Sequence, residues 1–257
     1  MSNINENSNV LLPSDKFPLS AKYDIEWVIK NQMGPNVMWL TEFLTQSMNL
    51  KPGMRVLDLG CGLAISSIFL AKEFDVQVWA TDLWIKANEN WKLVCDANME
   101  NQVFPIHAEA HDLPFADNFF DAILSVDAYH YFGTDDLYLG YLIRYLKPNK
   151  QIGIVVPGLH REFGDKIPQH LEPYWEWEFS SFHSPEWWRK HWNKTGLVSV
   201  ESADLLPEGW HQWMLWMELL HKREGKDYAM REAEMLRVDG GRNFGFTRLV
   251  AQKNKIS

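Results

Sequence analysis

The chain has 257 residues, 46% of them hydrophobic, enough for one α/β domain with a full core or for a core with a lid. A formal net charge of −9 argues against the clustered basic surface that a broad nucleic-acid footprint needs. Two cysteines, Cys61 and Cys95, give neither a disulfide framework nor a zinc-finger spacing, and no run approaches the ~20 apolar residues that span a bilayer.

The N-terminal sequence MSNINENSNV lacks the basic, apolar, small-residue pattern of a signal peptide. The expectation is a cytoplasmic protein with neither nucleic acid nor membrane among its partners; its oligomeric state is not readable. Residues 1 to about 20 are rich in Asn, Ser and Pro and read as a mobile arm. A helix is predicted over 21–31, broken by Gly34-Pro35, with Pro35 placed to start the next. That second helix carries Val37, Leu40, Phe43 and Leu44 at helical spacing, an apolar face for docking on a sheet.

Strands are predicted over 54–59, 76–81, 103–108, 121–126 and 151–156. Helices run between them to about residue 98 and over 134–146. Strands alternating with helices imply a parallel sheet covered on both faces. The rhythm stops after Pro157-Gly158. Residues 159–196 are rich in Trp, His and Pro, with a helix around 185–192. A strand over 197–203, one or two amphipathic helices over 210–236 and a strand over 244–252 complete the chain. The organisation expected is one domain: N-terminal helices over 1–50, a nucleotide-type core over 51–158, a lid insertion over 159–196, and C-terminal strands over 197–257 with a helical insertion over 207–243.

Residues 56–71 read as strand, glycine turn and helix, and the rest of the chain is organised around them. Gly60 and Gly62 let backbone approach a ligand closely, and the helix start offers unpaired N–H groups. A dinucleotide fingerprint would need a glycine where Ile65 stands, and the Gly-Lys-Ser/Thr of a phosphate loop is absent. What fits is Asp-x-Gly-x-Gly-x-small, here Asp58-Leu59-Gly60-Cys61-Gly62-Leu63-Ala64. Asp82, 24 residues after Asp58 at a strand end, is suited to accept two ribose hydroxyl protons; its other reading is a helix cap. Then come Ala108-Glu109-Ala110-His111-Asp112-Leu113-Pro114-Phe115 with Phe119-Phe120-Asp121, and Lys147-Pro148 leading into Ile152-Gly153-Ile154.

As a set, these stretches resemble the class I S-adenosylmethionine-dependent methyltransferases over about residues 50–158. Ala64 stands in place of a usual third glycine, and Glu109 in place of a usual Asp. The resemblance implies a Rossmann-like, seven-stranded, mostly parallel sheet with the last strand antiparallel and an aromatic-rich helical lid. It implies S-adenosyl-L-methionine as cofactor and a small-molecule acceptor. Asp58, Gly60, Gly62, Asp82, Leu83, Glu109, Ala110 and Val126 would form the cofactor site, with Asp82 on the ribose and Glu109 and Ala110 on the adenine.

Residues 125–132 follow the fourth strand and should face the methyl donor. His130 is the candidate general base, because an ordinary imidazole pKa suits proton removal near neutrality; its other reading is a packing residue. His107 and His111 flank a strand end with no metal-ligand pattern, so no metal is expected. Of 13 tryptophans, eight lie between Trp175 and Trp216. Trp175 with Trp177, and Trp187 with Trp188, are too close in sequence to face one core, so some should meet a cavity or partner. Tyr23, Tyr129, Trp187, Trp210 and His211 are the candidate acceptor contacts. Three rivals stay open: a nicotinamide oxidoreductase, an RNA or other macromolecule methyltransferase, and a non-catalytic cofactor-binding protein.

Overall fold

The computed structural model describes residues 15–255. Seven strands form one sheet: β1 (Arg55–Leu59), β2 (Gln77–Asp82), β3 (Val103–His107), β4 (Phe120–Val126), β5 (Leu146–Leu159), β6 (Val198–Leu205) and β7 (Phe244–Lys253). Their order is β3-β2-β1-β4-β5-β7-β6, with β7 antiparallel to both neighbours and the pairs from β3 to β5 parallel. The order reverses between β1 and β4, and open α/β sheets bind ligands outside the strand ends at such a point.

The helices are α1 (Ile25–Asn31), α2 (Val37–Thr45), α3 (Ile65–Phe74), α4 (Ala87–Asp96), α5 (Tyr138–Leu142), α6 (Pro185–Asn193), α7 (Gly209–Glu224) and α8 (Asp227–Asp239). α2 packs on α3, β4 and β5, so the apolar face read from the sequence is the buried one. The N-terminal helix is shorter than expected, because Asp24 caps Glu26 and Trp27 and starts α1 there. Asn36, not Pro35, caps α2 through Met38 N at 3.1 Å and Trp39 N at 3.2 Å.

Other boundaries also move. The helix expected over 134–146 is one α-turn followed by a 3-10 turn over Ile143–Tyr145. β5 runs 14 residues, through Pro157-Gly158. Pro157 is tolerated because β4 pairing ends at Val155, leaving an edge that needs no N–H there. Part of the expected mobile arm is packed: buried Glu42 accepts Leu19 N at 3.0 Å and Ser20 N at 2.7 Å, and Phe17 is buried on Trp39. Residues 1–14 of that arm lie outside the described residues.

Beyond β5, the segment before β6 and the helices α7 and α8 cover the carboxyl-end side of the sheet. Trp188, Trp192 and Trp216 are fully buried, whereas Trp177 is 80% exposed. No described helix is long and apolar enough to cross a membrane.

Candidate functional site

A cavity of about 350 Å³ lies at the carboxyl ends of β1, β2, β3 and β4. Gly60, Gly62, Asp82, Leu83, Glu109, Ala110 and Val126 all line it. The alternating strands therefore bring together residues spread over 67 positions of chain, as the spacing of the motifs implied. Ser125 Oγ donates to Leu59 O at 2.7 Å and ties the ends of β4 and β1 together beneath the cavity.

The turn's conformation follows from its neighbours. Gly60 has φ 76°, and a Cβ there would stand 2.4 Å from Ala128 Cβ. Gly62 has φ 52°, with room for a Cβ limited by Met33 Sδ at 3.0 Å. The glycines thus admit protein neighbours as well as any ligand. Ala64, where a glycine was the usual residue, adopts the same left-handed region at φ 58° and opens α3.

The turn's amides are already used. Gly60 N and Cys61 N both donate to Thr81 O, at 2.8 and 3.1 Å, and Gly62 N donates to Asp82 Oδ2 at 2.9 Å. The turn from 60 to 62 is thus closed on its own neighbours, whereas α3 starts without a side-chain cap, so the open N–H groups read from the sequence lie at the helix start and not in the turn.

Asp82 caps the loop before α4, one of its two sequence readings, and lies on the cavity wall. Its Oδ1 accepts Trp84 N at 2.7 Å and Ile85 N at 2.9 Å, which fixes the loop before α4, while the carboxylate still lines the cavity. Glu109 Oε1 pairs with His111 Nδ1 at 2.8 Å and Oε2 accepts His111 N at 2.9 Å. Burial pushes the Glu109 carboxyl up a little, but these hydrogen bonds outweigh it and hold the pKa below its ordinary value. Asp58 lies beneath the turn, fully buried and off the cavity wall, with Oδ2 accepting Ser66 Oγ at 2.6 Å and Ser67 Oγ at 2.7 Å. Burial pushes its carboxyl up to about 6 against those two hydrogen bonds, with the Asp82 charge adding to the rise.

The expected acceptor contacts are placed elsewhere. His130 is 2% exposed, absent from the cavity wall, and packed on Tyr131 and Phe182 with ring centroids at 4.1 and 5.5 Å. Burial pushes its pKa down to about 3, so the imidazole stays neutral and is a weak base. Tyr129 is fully buried among Tyr138, Trp188 and Trp192. Tyr23 donates to Glu73 Oε1 at 3.2 Å on a separate surface hollow. Trp187 stacks on His183 at 3.6 Å and on His191 at 4.5 Å. Trp210 closes over Gly241 beside His211, and none of these three lines the cavity. For most of them the rings are taken up by neighbouring rings: Tyr23 by Trp27 and Phe69, Tyr129 by Trp188 and Trp192, and Trp187 by His183 and His191.

Other residues complete the wall. Asn31, Gln32, Met33 and Gly34, from the loop between α1 and α2, form one side. Trp84 and Tyr131, 67% and 49% exposed, meet edge to face at 5.8 Å at the rim. Asp127 lines the wall at φ 56°. Burial pushes its carboxyl well above the usual range, and the charge of Glu232 adds to the rise. The Gly34-Pro35 break and the 125–132 stretch were the sequence signals for these residues; neither says which side chain points inward. A second cavity, about 320 Å³, is lined by Tyr174, Glu176, Phe179, Asp227, Tyr228, Arg231, Glu232 and Met235. Among the described residues no group of His, Cys, Asp and Glu is arranged to hold a metal.

Comparison with known proteins places this site. A sequence family described as "Methyltransferase domain" matches residues 56–149, the stretch that carries the cavity's strand ends. The glycine/sarcosine/dimethylglycine N-methyltransferase of Actinopolyspora halophila is 26% identical over 165 residues, 62% of this chain and 28% of that protein. The chain spans between 23% and 41% of the length of this and two other curated relatives it matches. Among solved structures, a Haemonchus contortus phosphoethanolamine N-methyltransferase 2 in complex with S-adenosyl-L-methionine superposes with TM-score 0.69 at 18% identity, over 90% of this chain and 56% of that one. The [4+2]-cyclase SpnF superposes with TM-score 0.68 at 18% identity, over 84% of this chain and 80% of that one. At such identities the superpositions speak for the fold. Over residues 56–149 the chain thus matches a methyltransferase domain, and it shares its fold with an S-adenosyl-L-methionine-bound methyltransferase of known structure.

Proposed function

We propose that the protein transfers a methyl group from S-adenosylmethionine to a small-molecule acceptor. The observation that carries this reading is the convergence of Gly60, Gly62, Asp82, Glu109, Ala110 and Val126 on one cavity. The residues fit the cofactor class: Thr81 Oγ1 on the wall is buried without a hydrogen-bond partner, and the Asp82 carboxylate faces the same space.

When bound, S-adenosylmethionine supplies a methyl carbon made electrophilic by the attached sulfonium. The chain's part is to hold, orient and exclude water. Gly60 and Gly62 would form the floor, Asp82 would take a ribose hydroxyl with the one lone pair left by its three internal hydrogen bonds, and Glu109 and Ala110 would take the adenine edge. Trp84 and Tyr131 cover the rim, and alignment of acceptor and methyl supplies much of the rate. His130 takes no part in proton transfer in this reading; it packs the underside of the 129–131 turn. An acidic chain and a cavity of this size favour a small acceptor over a macromolecule.

Calorimetric titration with S-adenosylmethionine and with NAD tests the cofactor. Binding of the first alone is expected, with Asp82→Ala weakening it roughly 10- to 100-fold through loss of charge-assisted hydrogen bonds. Release of S-adenosylhomocysteine across small amines, phenols, thiols and acids tests the reaction. Binding of NAD alone, or unchanged affinity in Asp82→Ala, overturns the proposal.

A further inference from the structure

Two polar side chains on the cavity wall have no work within the protein. Gln32 is 4% exposed, and neither atom of its carboxamide has a hydrogen-bond partner. The Asp127 side chain, half-buried on the same wall, has no hydrogen bond or ion pair among the described residues. It sits beside Gly34, where a Cβ would come within 2.8 Å of Asp127 Oδ2. Its backbone is left-handed, a conformation a non-glycine residue keeps only where the surroundings impose it. A half-buried carboxylate without a partner is expensive, and a buried amide with four unmet hydrogen-bonding positions is too. Both costs disappear if a ligand supplies the missing positive charge and N–H groups.

The second cavity carries the same sign of charge. Its wall pairs the rings of Tyr174, Phe179 and Tyr228 with Glu176, Asp227 and Glu232. Glu232 spends one oxygen on Trp213 Nε1 at 3.0 Å, and its charge reaches both Asp127 and Tyr131. The charge of Glu178 also acts on Tyr131 at the rim of the first cavity. The cations in the two walls are already matched: Arg231 lies 3.7 Å from Glu176, and His111 is on Glu109. Carboxylates interleaved with aromatic faces suit an ammonium group.

Resting on the methyl-transfer reading, we propose that the acceptor is a small protonated amine, held by Asp127 and Gln32 beside the methyl donor. An acid or a phosphate would meet like charge throughout. A phenol would leave Asp127 unmatched. The step balances as follows: the bound ammonium gives one proton to the Asp127 carboxylate, and the freed nitrogen lone pair forms a bond to the methyl carbon. The carbon–sulfur pair leaves with the sulfur as S-adenosylhomocysteine, and the proton on Asp127 passes to solvent as the methylated ammonium departs. Burial and the neighbouring Glu232 raise the proton affinity of Asp127 toward that of an amine, which makes the first transfer less uphill. Gln32 Oε1 accepts a second N–H and orients the nitrogen.

The test uses the full chain and matched probes: tyramine and ethanolamine against 4-ethylphenol, 3-phenylpropionate and ethylene glycol. Calorimetry on the protein loaded with S-adenosylhomocysteine reads binding, and S-adenosylhomocysteine release reads turnover. Amines alone are expected to bind and react. Asp127→Asn should lower kcat/KM for the amine by roughly 30- to 100-fold, the loss of a charged hydrogen bond, while S-adenosylmethionine affinity stays within about 3-fold. That retained affinity also reports that the variant is folded. Should Asp127→Asn not fold, Glu232→Gln stands in, with amine binding weakened several-fold and S-adenosylmethionine binding unchanged. Turnover confined to phenols or acids, or absent with every amine, overturns the amine assignment and leaves the methyltransferase reading intact. An equal loss of S-adenosylmethionine affinity in Asp127→Asn overturns it too, since Asp127 would then serve the donor. Absence of S-adenosylmethionine binding in the unmutated protein overturns both.

Discussion

Gly60 shows how one residue answers to two constraints. Its φ of 76° costs any L side chain about 1–2 kcal/mol, and a Cβ there would sit 2.4 Å from Ala128 Cβ, a contact that must be relieved by moving backbone. Ala128 follows Asp127, so the relief would move the carboxylate that lines the cavity. Gly60→Ala is expected to destabilise the fold by about 2–4 kcal/mol and to weaken S-adenosylmethionine binding at least 10-fold. Urea denaturation and calorimetry read the two effects; an unaltered affinity would show that the turn is not the cofactor floor. The need for glycine was legible in the sequence, because only a tight turn explains two glycines between a strand and a helix. The partner of each glycine was not. Ala128 lies 68 residues from Gly60, and Met33 lies 29 residues before Gly62. Side-chain direction was equally hidden at residues 127–131. Asp127 and His130 are three apart on a turn, and only packing decides that the carboxylate faces the cavity while the imidazole is buried beneath it.

At the scale of elements, the loop between α1 and α2 depends on α7. Trp216 is fully buried, and its Nε1 donates to Gly34 O at 3.0 Å. That bond, with the edge-to-face contact of Trp216 on Trp39 at 5.6 Å, holds Gln32, Met33 and Gly34 against the cavity. Trp216→Phe keeps most of the apolar contact but leaves the Gly34 carbonyl without its indole donor. A loss of about 1–3 kcal/mol in stability is expected, the usual penalty for stripping a buried group of its partner. Amide exchange over 31–36 should speed up more than exchange in β1 or β4. Uniform acceleration across the sheet would mean that α7 supports the whole core and not this loop in particular. The helices and the break at Gly34-Pro35 were readable from periodicity and turn residues. Their docking was not, since residues 34 and 216 are 182 positions apart. The lid tryptophans misled for a related reason. Spacing says that Trp187 and Trp188 cannot share a face, and they do not, but the exposed-side ring stacks on His183 instead of meeting a ligand.

For the whole molecule, the parallel core was the most legible part, because strands buried on both faces are short apolar runs between turn residues. The electrostatic balance of the interior was invisible until the carboxylates could be placed. Three of them are raised by burial: Asp58 to about 6, Glu232 to about 7 and Asp127 well above its usual range. His130 is pushed the other way, to about 3. A raised carboxyl binds a proton in the folded chain that the unfolded chain has lost, so each of the three makes stability fall as pH rises from about 4 through its folded pKa. His130 acts oppositely: the unfolded imidazole takes a proton below about 6.5 that the folded one refuses, so its contribution falls as pH drops. Between about pH 5 and 6.5 three carboxyls oppose two imidazoles, since burial also lowers His191. The carboxyls held low, such as Glu109 and Asp239, act below the ordinary carboxylate range and leave this window unaffected. The ligand-free protein should therefore melt at a higher temperature at pH 5.5 than at pH 7.5. Each unopposed proton is worth about 1.4 kcal/mol per pH unit. Glu232→Gln removes one of these protons while its amide oxygen still accepts Trp213 Nε1, so it should stabilise the protein at pH 8, by on the order of 1–3 kcal/mol, and change little at pH 4.5. Thermal scans of both proteins across that range read the difference directly. If Glu232→Gln shifts the melting temperature equally at both ends, Glu232 is not carrying a buried charge at pH 8. If stability instead rises from pH 5.5 to 7.5, the interior carboxyls are solvated and do not carry the buried charge the packing implies.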